Sequence, residues 1–157
     1  MLTYTSPDQL RGEPEPVRYL HLAILTALRD GASHLEVRLG DGWGLLYQRV
    51  DGRDWELLPP PEEVYPLLKA AVRGAARLVR PERPEVTFSG VTAGGARIES
   101  PEAGWLTYQL ADHWIDLLVQ IDPREPGGVI RIETGGAESF AGAAADALNA
   151  YYESEPE

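Results

Sequence analysis

Few residues in this chain are spaced for chemistry. Glycines cluster at 40–44, 94–95, 127–128 and 135–136. None of these clusters reads GxxxxGK[ST], in which backbone N–H groups and a lysine cradle phosphates, and Lys69, the only lysine, falls behind Leu68 in a helical stretch. Gly135-Gly136 ahead of a helix could offer bare amides to an anion, although a plain loop-to-helix junction is the simpler reading. The three histidines, His21, His34 and His113, are far apart in sequence. In the dense cluster 112–116, a strand would place Asp112 and Asp116 on one face and His113 on the other, which suits solvation better than chelation. No serine sits in a G-x-S-x-G elbow, and no carboxylate pair stands out as a catalytic acid and base. The expectation is therefore no catalytic residues, no metal site and no cofactor.

Two constellations remain. Trp43, Tyr47 and Arg49 alternate along one candidate strand, and an arginine beside aromatic rings can hold an anion or a base. The simpler reading is that these aromatics pack on a helix. Lys69, Arg73, Arg77 and Arg80 recur at i, i+4, i+8 and i+11, with Arg83 just beyond, as a basic stripe down a helix. That stripe is either a solvated face or a docking surface for an acidic partner, and the acidic C-terminal third of the same chain could meet it within one subunit or between two.

The charge is uneven. The 157 residues carry 25 acids and 14 bases, a net of −11, which argues against general nucleic-acid binding. Residues 101–157 hold 11 of the acids and only Arg124 and Arg131. With no cysteine, disulfides and thiolate chemistry are excluded. Scarce Asn and Met with 13 prolines resembles thermophile usage. No stretch has the length of a membrane span, and 1–16 lacks the regions of a signal peptide, so the expected setting is cytoplasmic, without membrane insertion.

The elements that would position these groups can be read from period and breakers. Residues 1–16 read as an extended leader, with Pro7, Gly12, Pro14 and Pro16 opposing a helix. Val17, Leu20, Ile24 and Leu28 predict a helix over 17–30, stopped by Gly31. Alternation over 34–39, the turns Asp41-Gly42 and Asp51-Gly52, and runs at 43–50 and 54–58 predict a three-stranded meander. After Pro59-Pro60-Pro61 a second helix is expected over 62–79. Strands follow at 85–89, 95–100, 105–110, 113–122 and 129–133, then a helix over 138–152 and a frayed acidic tail, 153–157. The order predicts a single α+β domain over 17–152: the meander and a second antiparallel sheet, helices on their faces, and a C-terminal helix.

Residues 22–52 contain Ala23-Ile24-Leu25, Leu28, Gly31-Ala32-Ser33 and Arg49-Val50-Asp51-Gly52. This resembles the N-terminal domain of the type II secretion and type IV pilus assembly ATPases, which reads AILLxAIxxGASDIHIE, then RYRIDG, then prolines and a helix. Asp116-Leu117-Leu118-Val119-Gln120-Ile121-Asp122-Pro123 and Val129-Ile130-Arg131-Ile132 resemble that family's DLRVSTLP and VVLRI, so the likeness spans about residues 17–133. The family's Asp-Ile-His-Ile-Glu falls on His34, Leu35, Glu36, Val37 and Arg38. Of the arginines that lie near nucleotide in the family's ring, one persists as Arg49 and two are replaced, by Tyr47 and Leu118. No counterpart of the phosphate-loop ATPase domain follows. The resemblance implies a non-enzymatic protein-interaction or regulatory module, with pilus or secretion machinery as partner; the opposed charge faces and a spare C-terminal helix also suit a homodimer. The alternative is a small-ligand or nucleotide-sensing domain.

Overall fold

The computed structural model of the protein describes residues 1–40, 43–57, 59–79, 102–122 and 127–154. The described elements run β1 (Leu2–Tyr4), α1 (Pro7–Arg11), α2 (Glu15–Asp30), β2 (His34–Gly40), β3 (Trp43–Val50), β4 (Arg53–Glu56), α3 (Tyr65–Ala75), β5 (Arg77–Val79), β6 (Glu102–Leu110), β7 (His113–Ile121), β8 (Gly128–Glu133) and α4 (Ala141–Glu153). The α+β class holds. The meander is not a separate sheet, however. β2 pairs antiparallel with β8, which joins β2–β3–β4 to β6–β7–β8 in the order β1-β6-β7-β8-β2-β3-β4. The sheet is also not wholly antiparallel: β1 runs parallel to β6, opposite Tyr108–Leu110, while β5 pairs with the other end of β6.

Local chemistry accounts for most boundaries. α2 ends where Gly31 turns left-handed (φ 69°) and its N–H returns to the Ala27 and Leu28 carbonyls. Asp51 and Gly52 both have positive φ, 52° and 76°, the requirement of a two-residue hairpin turn whose twist matches its strands. Expected candidates 85–89 and 95–100 lie outside the described residues.

Two expectations fail for identifiable reasons. Residues 1–16 are not an extended leader. Ser6 caps α1 by accepting from the Gln9 N–H at 3.1 Å, Pro7 sits in the first turn where its missing N–H costs nothing, and Leu2, Tyr4 and Leu10 are buried. The prolines mark starts of helices here rather than the lack of them. The second helix is also shorter than 62–79. A 3₁₀ turn at Glu62–Val64 leads into α3, which stops at Ala75; Ala76 is extended, and the chain enters β5.

The two faces of the sheet differ. Leu35, Val37, Leu46, Leu106, Tyr108, Leu117, Val119, Ile121, Ile130 and Ile132 point toward the helices and build the core with Ile24, Leu25 and Leu28 of α2, Val72 of α3 and Leu148 of α4. α2 neighbours both α3 and α4. Tyr65 of α3 lies directly on Gly44, where a Cβ would meet its ring at 2.2 Å. His21 is fully enclosed in this layer, its Nδ1 2.8 Å from the buried Tyr108 hydroxyl.

Two predictions follow from this packing. Leu10→Ala will destabilise the fold by about 2–5 kcal/mol in urea titration, as for a core leucine; a detached leader would leave the midpoint unchanged. Burial lowers the His21 pKa to about 4, against the opposing pull of Glu13. The folded state thus binds fewer protons than the unfolded one between pH 4 and the ordinary imidazole value of 6.5. Its contribution is intact above that window and drains away as pH falls through it, by on the order of 3 kcal/mol. His21→Gln, which cannot titrate, will flatten that part of the stability–pH curve.

Candidate functional site

The face of the sheet turned away from the core carries the polar groups. One rung crosses six strands as Ala103, Gln120, Arg131, Glu36, Tyr47 and Glu56. The next runs Glu133, His34, Arg49 and Asp54. Beyond the first rung on its other side stand Val129, Arg38 and Leu45, then Gly40 and Trp43. Period-two alternation in β2 and β3 places every one of these side chains on the same surface.

Glu36 is the centre of this arrangement and has no exposure to water. One carboxylate oxygen accepts from the Tyr47 hydroxyl, with Arg38 Nε at 3.9 Å; the other has Arg131 Nη1 at 3.4 Å and His34 Nε2 at 3.6 Å. Arg38 donates to the Tyr47 oxygen through Nε (3.1 Å) and Nη2 (2.8 Å), and its guanidinium lies 4.5 Å from the centre of that ring. Arg131 donates through Nε to Glu133 at 2.8 Å. Burial, and then the hydrogen bond to Glu36, push the Tyr47 pKa well above its ordinary value, so its proton stays in place. Burial, and then the Arg131 charge, push the His34 pKa down. A buried charge needs such pairing, because its desolvation is otherwise prohibitive.

The arrangement suits binding and registration better than proton transfer. Ser33 Oγ lies 3.2 Å from His34 Nδ1, and the other ring nitrogen faces Glu36, an order resembling a nucleophile–base–acid line. Arg131 Nη2, however, is 3.3 Å from the same Nδ1 and competes for the lone pair that a serine proton would need. Ser33 also donates to the Arg49 carbonyl at 3.4 Å. Gln120 is buried beside Arg131, and neither of its amide atoms has a hydrogen-bond partner among the described residues.

The predicted patch is on one face but does not converge. Tyr47 is committed to Glu36 and Arg38. Arg49 is half-exposed and pairs with Asp54 at 3.0 Å. Trp43 lies across Gly40, whose Cβ position its ring fills. Among the described residues, the predicted stripe is not continuous along one helix. Lys69 is 3% exposed, and Arg73 is held by Glu102 at 2.6 and 3.1 Å. Arg77 has left the helix for β5, while Arg80 and Arg83 lie outside the described residues. The Arg73–Glu102 pair does join the basic helix to the acidic C-terminal third within one subunit. In the 112–116 cluster, Asp112 is in a turn, Asp116 accepts from Thr107 Oγ1 at 2.5 Å, and His113 stacks edge-on against Phe140.

Sequence reasoning missed Glu36, Arg38, His34, Arg131 and Glu133 as a group. The signal was the polar run His34, Glu36, Arg38 at alternate positions, which in an interior strand must face something other than an apolar layer. It also missed the aromatic surface. All four tryptophans are exposed: Trp114 67%, Trp43 55%, Trp55 54% and Trp105 37%. Trp43, Trp105 and Trp114 share the polar face, at register positions of Gly40, Leu118 and Gln109.

Among the described residues, no group of three or more acidic or histidine side chains could hold a metal, and no helix is long and apolar enough to cross a membrane. No protein-family model matches the chain, and no curated protein matches it as a relative.

Replacing Glu36 by Ala will strand Arg131 and Arg38 around a void and cost about 3–5 kcal/mol of unfolding free energy. Tyr47→Phe will cost less, about 1–3 kcal/mol, because it leaves the ion pairs in place. Equal effects from the two substitutions would show that the charge pairing does not matter here.

Proposed function

We propose that this chain is a non-enzymatic, cytoplasmic protein-interaction or regulatory module, akin to the N-terminal domain of the type II secretion and type IV pilus assembly ATPases, and that pilus or secretion machinery is its partner. The observation that carries the interaction reading is the exposure of every tryptophan in the chain, three of them on the sheet face opposite the helices. Tryptophan supplies more contact area than any other side chain and is favoured at the energetic centres of interfaces. Around these rings stand charges already held in fixed geometry by Glu36, so the surface is preorganised and loses little freedom when covered.

The link to the secretion family has support of a different kind. The two stretches of likeness, separated by about two fifths of the chain, meet in space: β2 and β3 carry the first, β7 and β8 the second, and β8 pairs directly with β2. The nucleotide-sensing alternative has weaker footing, because Tyr47 and Arg49 already have protein partners and Trp43 does not converge with them.

The test is capture of partners from native lysate with wild type and with a variant carrying Trp43→Ser, Trp105→Ser and Trp114→Ser. The variant should remain folded, since none of these rings belongs to the helix-packed core, and should lose the pilus or secretion components that wild type recovers. Failure of the wild type to recover any such component, or equal recovery by both proteins, overturns the reading. Calorimetry with ATP and ADP should give flat titrations; heat abolished by Arg49→Ala would favour the nucleotide alternative.

A further inference from the structure

β4 closes the sheet at the end opposite β1, and no described strand pairs with its outer edge. All four of its residues are exposed. The pairing with β3 decides which backbone groups that edge offers. Leu57 N–H donates to the Leu46 carbonyl at 2.9 Å, so Leu57, and by the two-residue period Trp55 and Arg53, turn their N–H and C=O toward β3. The Arg49 carbonyl, opposite Asp54, instead accepts from the Ser33 N–H on the β2 side. Asp54 and Glu56 therefore turn their N–H and C=O away from the sheet. Neither a bulge nor a proline interrupts the register, so the edge is able to accept another strand.

The side chains limit what that strand is. Asp54 and Glu56 belong to the polar face, where Arg49 answers Asp54 at 3.0 Å and no described cation pairs with Glu56. Trp55 belongs to the other face, level with Gln48 and the core residue Leu35, and more than half of it is exposed. Beside it, between β4 and the last turns of α2, is a cleft of about 740 Å³. Val50, Leu57 and Trp55 give this cleft apolar surface, and Thr26 and Gln48 give it neutral polar groups. Of its charged residues, Arg29 and Asp30 hold each other at 2.8 Å, which leaves Arg53 against Asp51 and Glu56. A strand laid antiparallel on the edge places one side chain opposite Trp55 on the cleft side, and the residues flanking it opposite Glu56 and Asp54. An aromatic residue suits the first position and basic residues the flanking ones, because aromatic pairs and opposite charges directly across a ladder stabilise it. A second copy of this chain does not meet that demand. Any twofold pairing through Asp54 and Glu56 sets carboxylate against carboxylate, and two chains of net charge −11 also repel each other.

We propose that the outer edge of β4 binds an extended segment of a partner protein that reads basic, aromatic, basic, added antiparallel as a further strand. The basic residues exchange backbone hydrogen bonds with Glu56 and Asp54 and lay their side chains on those carboxylates, and the aromatic ring enters the cleft beside Trp55. The residue that follows stands opposite Arg53 and is acidic. This surface is distinct from Trp43, Trp105 and Trp114 and does not rest on the secretion-family reading.

The experiment adds the peptide acetyl-Thr-Lys-Phe-Lys-Asp-Thr-amide to the full chain and follows backbone and indole N–H groups by ¹⁵N NMR and hydrogen exchange. The Trp55 indole should shift with half-saturation at about 1 mM, while the Trp43, Trp105 and Trp114 indoles stay unmoved. At about 10 mM peptide, exchange of the Asp54 and Glu56 amides should slow about tenfold. Methylating the backbone nitrogens of both lysines removes the donors aimed at β4 and should abolish binding; methylating that of the phenylalanine, which points away from β4, should not. The charge-reversed peptide acetyl-Thr-Glu-Phe-Glu-Lys-Thr-amide should not bind. Glu56→Lys, a change at an exposed position, should leave the protein folded and weaken the first peptide about tenfold. The proposal is overturned if the Trp55 indole is unmoved at about 10 mM, or if the shifts fall on the other tryptophans. It is equally overturned if the charge-reversed or lysine-methylated peptide binds like the parent, or if the variant binds like wild type. Protection of the Asp54 and Glu56 amides that grows with protein concentration alone would give the edge to a second copy and overturn it as well.

Discussion

Glu36 stands in β2, a strand with a neighbour on each side, and it is closed off from water. A carboxylate in that position is tolerable only if cations and hydroxyls surround it, and Arg131, Arg38, His34 and Tyr47 come from three strands to do so. The pairing of β8 with β2 is therefore more than a ladder of backbone hydrogen bonds. Slipping it by one residue would turn Glu36 and Arg131 into the hydrophobic layer and Leu35 and Ile132 out of it. The ion cluster and the core demand the same register from opposite sides, and that agreement welds the N-terminal meander to the C-terminal strands.

The helical layer contains the mirror case. His21 and Tyr108 are a polar pair inside an apolar core, joined by one hydrogen bond and kept neutral by burial. At Glu36, cationic side chains and a hydroxyl surround the carboxyl; at His21, burial refuses the charge. Both solutions obey the rule that a buried polar group must be matched, but they leave different residues of chemistry. The first leaves a rigid, balanced surface framed by tryptophans. The second leaves a neutral imidazole enclosed in the helical layer.

Much of this was legible locally. The helix ending at Gly31, the hairpin at Asp51-Gly52 and the alternation of β2 and β3 depend on backbone preferences and on periodicity within a few residues, so they could be read without knowing their neighbours. The N-terminal segment was misread because its few apolar residues, Leu2, Tyr4 and Leu10, look insufficient for burial in isolation; they are buried because β6 and α4 already form a surface for them. The basic stripe was misread because helical spacing was continued past Ala75, where Arg77 instead pairs with Trp105 in β5. Lys69 counted as a solvated charge by its type, yet its helix turns it inward.

What the residue order settled by itself was the set of elements with strong internal signals, the α+β class and the alternation that gives each strand two unlike faces. Those depend on interactions between residues near one another along the chain. The tertiary structure alone decided that the two halves share one sheet, that Glu36 and Arg131 meet across it, that His21 reaches Tyr108, and that the tryptophans stay outside. The first three join residues far apart in sequence, and a contact of that kind has no local period or breaker to announce it: it exists only once the strands between have fixed their order and register.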